Sequence, residues 1–194
     1  MGEIKSAFEK AMERVAKLEK ASAEELKRME YVPQGNIIAA KYLREEATDL
    51  KAELAKYEEG VRKYLIEGLN ETLLGNITLP QNEGTGKSNK RTMEGILTLK
   101  ENKGKAKGIL DKLENLLSYY GQARQQAYLQ LKRSFEAKLE GAQRALEQQL
   151  GTKVQINVEP QPQFQEEWRK IQAELNSKYE RVLEENKQEL KRIR

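Results

Sequence analysis

Cysteine and histidine are both absent from this chain of 194 residues. The first absence removes any disulfide framework and any thiolate nucleophile, and fits a reducing compartment. The second removes the imidazole base, the histidine-containing catalytic triads and the Cys/His zinc sites, and with them many familiar enzyme mechanisms. Proline occurs 4 times and tryptophan once, and aromatic residues make up only 6% of the chain, a poor supply for sheets or for stacked bases. No apolar run approaches the roughly 18 to 20 residues that a spanning helix requires, so the expectation is a cytoplasmic protein without membrane partners. Met1, Gly2 and Ser6 match a short acylation pattern, but an ordinary helix start accounts for the same residues.

What the chain does have is charge and helix formers. Charged residues are 34% of the total and hydrophobic residues 38%, below the roughly 45 to 50% of a globular domain, which favours long solvated helices over a compact core. The breakers divide the sequence into helices expected over about 3–31, 37–74, 90–150 and 165–194. In the first, Ile4, Phe8, Ala11, Val15 and Leu18 alternate by four and three as a coiled-coil seam does. Pro33 and Gly35 predict a stop, with Asn36 capping the next helix.

The second helix carries the cleanest alternation, through Leu43, Ala47, Leu50, Leu54, Tyr57, Val61 and Tyr64. Gly75, Pro80, Gly84 and Gly86 predict a loop tip over 76–89. In the third helix Leu110, Leu113 and Leu117 belong to a seam that passes into a stutter at Phe135 and Leu139, where left-handed supercoiling relaxes. An extended linker is expected over 151–164, from the alternation of Val154, Ile156 and Val158 and from Pro160 and Pro162. The last helix places Trp168, Ile171, Leu175, Tyr179, Val182, Asn186, Leu190 and Ile193 on one stripe. The expectation is an all-α protein in one piece: an elongated antiparallel coiled-coil hairpin, its C-terminal helix folding back into a three-helix bundle region.

Signs of chemistry are few. Gly84-Thr85-Gly86-Lys87-Ser88 resembles the end of a phosphate-binding loop, but Gln81 stands where the pattern needs its first glycine and Pro80 where it needs a buried strand. A polar turn is the expectation there. Glu136 with Glu140 and Glu45 with Asp49 lie one turn apart on solvated helix, where nothing separates their pKa values. No cofactor or metal site is expected. Lys87, Lys90, Arg91, Lys100, Lys103, Lys105 and Lys107 face only Glu94 and Glu101 across the start of the third helix, a basic arm suited to an acidic partner. Gly104 and Gly108 suggest a close helix approach, a bend or a partner-binding notch in that arm. Tyr119, Tyr120, Arg124 and Tyr128, with Gln122, Gln125 and Gln126, form either a binding surface or core with a polar flank.

These features point to a non-enzymatic coiled-coil scaffold, stalk or adaptor that associates with protein partners and with itself. The second reading is a nucleic-acid-associated protein that uses the basic arm around 87–107.

Overall fold

The computed structural model describes residues 22–45, 47–150 and 157–193. Among them are six helices and no strand: α1 (Ala23–Arg44), α2 (Leu50–Ala55), α3 (Glu59–Asn76), α4 (Glu83–Leu99), α5 (Lys103–Leu150) and α6 (Pro162–Arg192). The chain divides into two compact units, one of Met1–Ile77 with Arg91–Glu101, the other of Thr78–Lys90 with Asn102–Arg194.

In the first unit, α1 opens on a capping box. The Glu25 amide donates to Ser22 Oγ at 3.3 Å and the Ser22 amide donates to Glu25 Oε2 at 2.6 Å, so two amides that lack helical partners are satisfied reciprocally. The helix then runs through Pro33, at a cost of about 3 kcal/mol for the missing N–H and the ring's clash with the preceding turn. Contact with α3 offsets that cost. A Cβ built on Gly35 would lie 2.2 Å from the Leu65 carbonyl oxygen, and one built on Gly68 would lie 2.1 Å from that of Val32. The two helices therefore touch backbone to backbone, an approach only glycine permits.

They also run parallel: Lys63 Nζ reaches Glu24 at 2.8 Å, Arg28 pairs with Glu67, and Thr72 Oγ1 donates to Asn36 Oδ1 at 3.1 Å. Residues 47–58 lie on the return, and within them Asp49 Oδ1 accepts from the Lys51 and Ala52 amides at 2.7 and 3.3 Å to start α2. Ile38, Ala39, Leu50, Leu65, Leu69 and Leu73 form the core, with Ile96 of α4 fully buried. A Cβ on Gly95 would meet Tyr42 Cε1 at 2.7 Å and Leu50 Cδ1 at 3.4 Å, so α4 is closely packed within this unit at Gly95.

In the second unit the buried Asn89 side chain acts as a substitute peptide group. Its Oδ1 accepts from the Thr78 amide at 3.0 Å and its Nδ2 donates to the Thr78 carbonyl at 2.7 Å, so both polar groups of Thr78 are met away from any sheet. Asn82 accepts from the Thr85 amide at 2.9 Å to start α4, and Asn102 from the Lys105 amide at 3.1 Å to start α5. Gln161 precedes α6, with Pro162 in its first turn, where a missing N–H costs nothing. Helices α5 and α6 run antiparallel along a row of edge-to-face rings: Tyr120 with Tyr179 at 5.4 Å, Tyr128 with Trp168 at 5.1 Å, and Phe135 with Phe164 at 5.4 Å. Tyr120 and Phe164 are fully buried.

The all-α reading holds, but the expected helices are subdivided. The helix expected over 3–31 has a start inside it, at Ser22, and continues past Pro33 and Gly35 to Arg44, with Asn36 in its interior rather than at a cap. The helix expected over 37–74 breaks twice, and that over 90–150 breaks at 100–102, because Asp49 and Asn102 offer the backbone a cap. The loop tip expected over 76–89 shortens to 77–82, and the glycine-rich stretch lies within the first turns of α4, where the Gly86 amide donates to the Asn82 carbonyl at 3.3 Å. The helix expected from 165 begins at Pro162. The seam from Ile4 to Leu18 and the alternating Val154 and Ile156 lie outside the described residues. In place of a straight 37–74 helix against 90–150, the extensive helix contacts are α1 with α3 and α5 with α6.

Two predictions follow from this packing. Gly68→Ala should destabilise the first unit by about 3 kcal/mol through overpacking, whereas Gly108→Ala, whose Cβ would meet nothing within 4 Å, should stabilise α5 by about 1 kcal/mol through helix propensity; urea unfolding followed by circular dichroism compares them. Hydrogen bonds to Lys63, to Ser22 and to Lys56 hold the Glu24, Glu25 and Glu53 carboxyls below their ordinary range. Their contribution is thus present above the unfolded carboxylate pKa and lost as pH falls through the lower folded values. Acid unfolding of the first unit should move to higher pH in a Lys63→Gln variant.

Candidate interaction surfaces

Helix α1 is apolar on two opposite faces. Gly35, Ile38 and Ala39 are buried, while Leu26, Met29, Pro33 and Ile37, spaced by three and four, form a stripe on the other side. Leu26 is 40% exposed, Met29 55% and Ile37 67%. A helix with one core to bury needs one apolar stripe, and the second is apolar surface left outside that core.

The residues of the basic arm are divided between the two units. Arg91 and Lys100 belong to the first unit; Lys87, Lys90, Lys103, Lys105 and Lys107 belong to the second and are exposed. Arg91 closes the C-terminus of α1: its Nε donates to the Tyr42 carbonyl at 2.7 Å and its Nη2 to the Glu45 carbonyl at 2.6 Å. Its guanidinium lies 4.3 Å from the centre of the Tyr42 ring, whose hydroxyl donates to the Arg91 carbonyl at 3.1 Å. A cation at a helix C-terminus meets both the unpaired carbonyls and the negative end of the dipole. Burial raises the Tyr42 pKa against the opposing effect of Arg91. Lys100 is only 5% exposed, and burial lowers its pKa below that of an ordinary lysine. The notch suggested at Gly104 and Gly108 is open helix surface, with no neighbour closer than Asn102 Oδ1 at 3.9 Å from a Cβ on Gly104.

The seam residues fare differently. Leu50, Leu54, Val61, Leu110, Leu113 and Leu117 are buried, and Leu43 and Tyr57 are half-buried. The buried six are core positions on three helices, Leu43 lies on a fourth, and Tyr57 lies between α2 and α3.

A groove of about 450 Å³ lies on the second unit, lined by Gly121, Arg124, Gln125 and Tyr128 of α5 and Trp168 of α6. Tyr120, one residue from its edge, is anchored by donating to Asn176 Oδ1 at 2.7 Å and accepting from Gln81 Nε2 at 3.4 Å. Arg124 Nη1 donates to the Gln81 carbonyl at 3.2 Å and its guanidinium carbon lies 5.8 Å from the centre of the Trp168 ring. Its Nε is buried without a partner. Beside the groove, Glu159 is paired with Lys132 at 2.7 Å and raises the Tyr128 pKa through a hydrogen bond. Among the described residues no helix is long and apolar enough to cross a membrane, and no group of three or more acidic side chains is placed to hold a metal ion. The sequence singled out the Tyr and Gln residues of α5 but not their meeting with Trp168, which α6 brings back from far along the chain.

Arg91→Gln should lower stability by about 2 kcal/mol, since it strips charged hydrogen bonds from two carbonyls at a helix end. Thermal unfolding by circular dichroism measures this; an unchanged midpoint would show that the clamp contributes nothing.

Comparison with curated proteins and with solved structures finds no match for this chain. Residues 51–192 match a family of unknown function, DUF6657, a span that contains the whole groove and begins after α1. With most of its length covered by that match, the chain is a member of the DUF6657 family.

Proposed function

We propose that this is a non-enzymatic interaction protein of the scaffold or adaptor kind, working by helix–helix association and joining with a second copy of itself. The observation that carries this reading is the outer face of α1, where Leu26, Met29 and Ile37 are 40, 55 and 67% exposed directly opposite the face that packs on α3. Hydrophobic stabilisation of about 25 cal/mol per Å² of apolar surface buried makes such a stripe a favourable seam for a partner helix. The heptad of Ile4, Phe8, Ala11, Val15 and Leu18 adds a further apolar stripe in the sequence. The nucleic-acid reading has less support, because Arg91 and Lys100 are occupied in or buried by the first unit rather than presented to solvent.

Sedimentation equilibrium of the full chain tests the proposal. The unaltered protein should form a concentration-dependent oligomer in the micromolar range, and the double variant Met29→Asp, Ile37→Asp should be monomeric with its helical circular dichroism intact. A wild-type protein that stays monomeric at high micromolar concentration, or an oligomer that the double variant leaves untouched, would sink it.

A further inference from the structure

Arginine in a helical protein usually spreads its donors over carboxylates or water. Arg124 does not. One donor, Nη1, is committed to the Gln81 carbonyl at 3.2 Å, Nε is buried without a partner, and the guanidinium rests near the Trp168 ring. A guanidinium so placed keeps its charge while its hydrogen bonding is incomplete, and an unmet donor shut off from water is costly.

The space beside it is shaped by an omission. Gly121 sits one helical turn before Gln125, and a Cβ built there would meet nothing within 4 Å, so the groove floor is open where almost any other side chain would fill it. Glycine in the middle of a helix of 48 residues lowers helix stability by about 1 kcal/mol relative to alanine, and no close contact at this position accounts for it. The walls are the rings of Tyr128 and Trp168, set edge to face at 5.1 Å and 74°. The nearby carboxylate of Glu159 is neutralised by Lys132 at 2.7 Å, which leaves Arg124 as the charge that lines the groove.

We propose that this groove is a binding site for a small aromatic carboxylic acid, with the carboxylate on Arg124 and the flat apolar body against Trp168 and Tyr128 over Gly121. The chemistry matches part by part. A planar guanidinium binds carboxylate with charge-assisted hydrogen bonds, aromatic walls receive a flat ring edge-on or offset, and about 450 Å³ falls within the range of small-ligand sites. This site is separate from the outer face of α1, and its test is independent of self-association.

Trp168 is the single tryptophan of the chain, so its indole N–H gives one assignable signal at the site. Titration of the ¹⁵N-labelled full-length protein with 3-phenylpropionate should move that signal saturably, while 3-phenylpropionamide, of the same shape without the charge, should bind at least about tenfold more weakly, a difference of about 1.4 kcal/mol. Arg124→Gln should reduce the acid to the level of the amide. Gly121→Leu, which fills the floor and leaves the arginine in place, should abolish the response to both, and decides the matter if the Arg124 variant fails to fold. Equal affinity for acid and amide, no saturable shift with the acid, or an unchanged response in Gly121→Leu would each overturn the proposal.

Discussion

Where α1 and α3 cross, backbone rests on backbone, and much of the first unit follows from that contact. Gly35 and Gly68 have no side chains to hold the helices apart, and each faces a carbonyl oxygen of the other helix. This closeness fixes which side of α1 turns inward, since Ile38 and Ala39 lie beside Gly35 and are buried with it. It also explains how Pro33 survives mid-helix. The cost of one lost hydrogen bond and a crowded turn is local, whereas the packing that opposes it is distributed along the helix. A second apolar face on α1 is then the remainder left outside once the glycine side has been chosen.

The second unit depends on rings rather than on glycines. Tyr120 is the most constrained of them: it is fully buried, its hydroxyl meets both Asn176 and Gln81, and its ring packs on Tyr179. A buried tyrosine needs a partner for its hydroxyl, and here that need ties the start of the 78–90 segment to α5 and α6 at one point. Arg124, one turn along, donates to the carbonyl of the same Gln81. The groove beside Trp168 is thus built on fixed elements, which suits a site whose geometry must be held.

How much of this was legible beforehand can be judged residue by residue. Helix content was, because charge, Leu, Glu, Lys and Ala leave little else for the chain to form. The helix breaks were partly visible and were overridden by periodicity: Leu50, Leu54, Val61 and Tyr64 keep a heptad spacing across a break, since each is a core residue for a separate local reason. Asp49, Asn102 and the Ser22 to Glu25 box carried the contrary signal, as cap residues placed before helical turns. Pro33 and Gly35 misled in the opposite direction. A glycine required for close approach and a glycine that ends a helix look the same until the partner helix is known. The meeting of Arg124 with Trp168 was beyond reach, because it depends on the antiparallel register of α5 and α6 rather than on anything local.

The order in which the units are threaded has a consequence for synthesis. The chain leaves the first unit at Ile77, returns to it at Arg91 and leaves again at Glu101, so neither unit is a continuous stretch. On a ribosome, α1 must wait for α3 to emerge before its glycine face has a partner, and for Arg91 before its C-terminus is closed. These are contacts of long sequence separation, which slow the search for the native pairing relative to a simple helical hairpin. Cutting the gene at a single point would strand part of one unit with the other. Expression of either unit by itself calls for a rejoined chain, in which the excised segment is replaced by a linker.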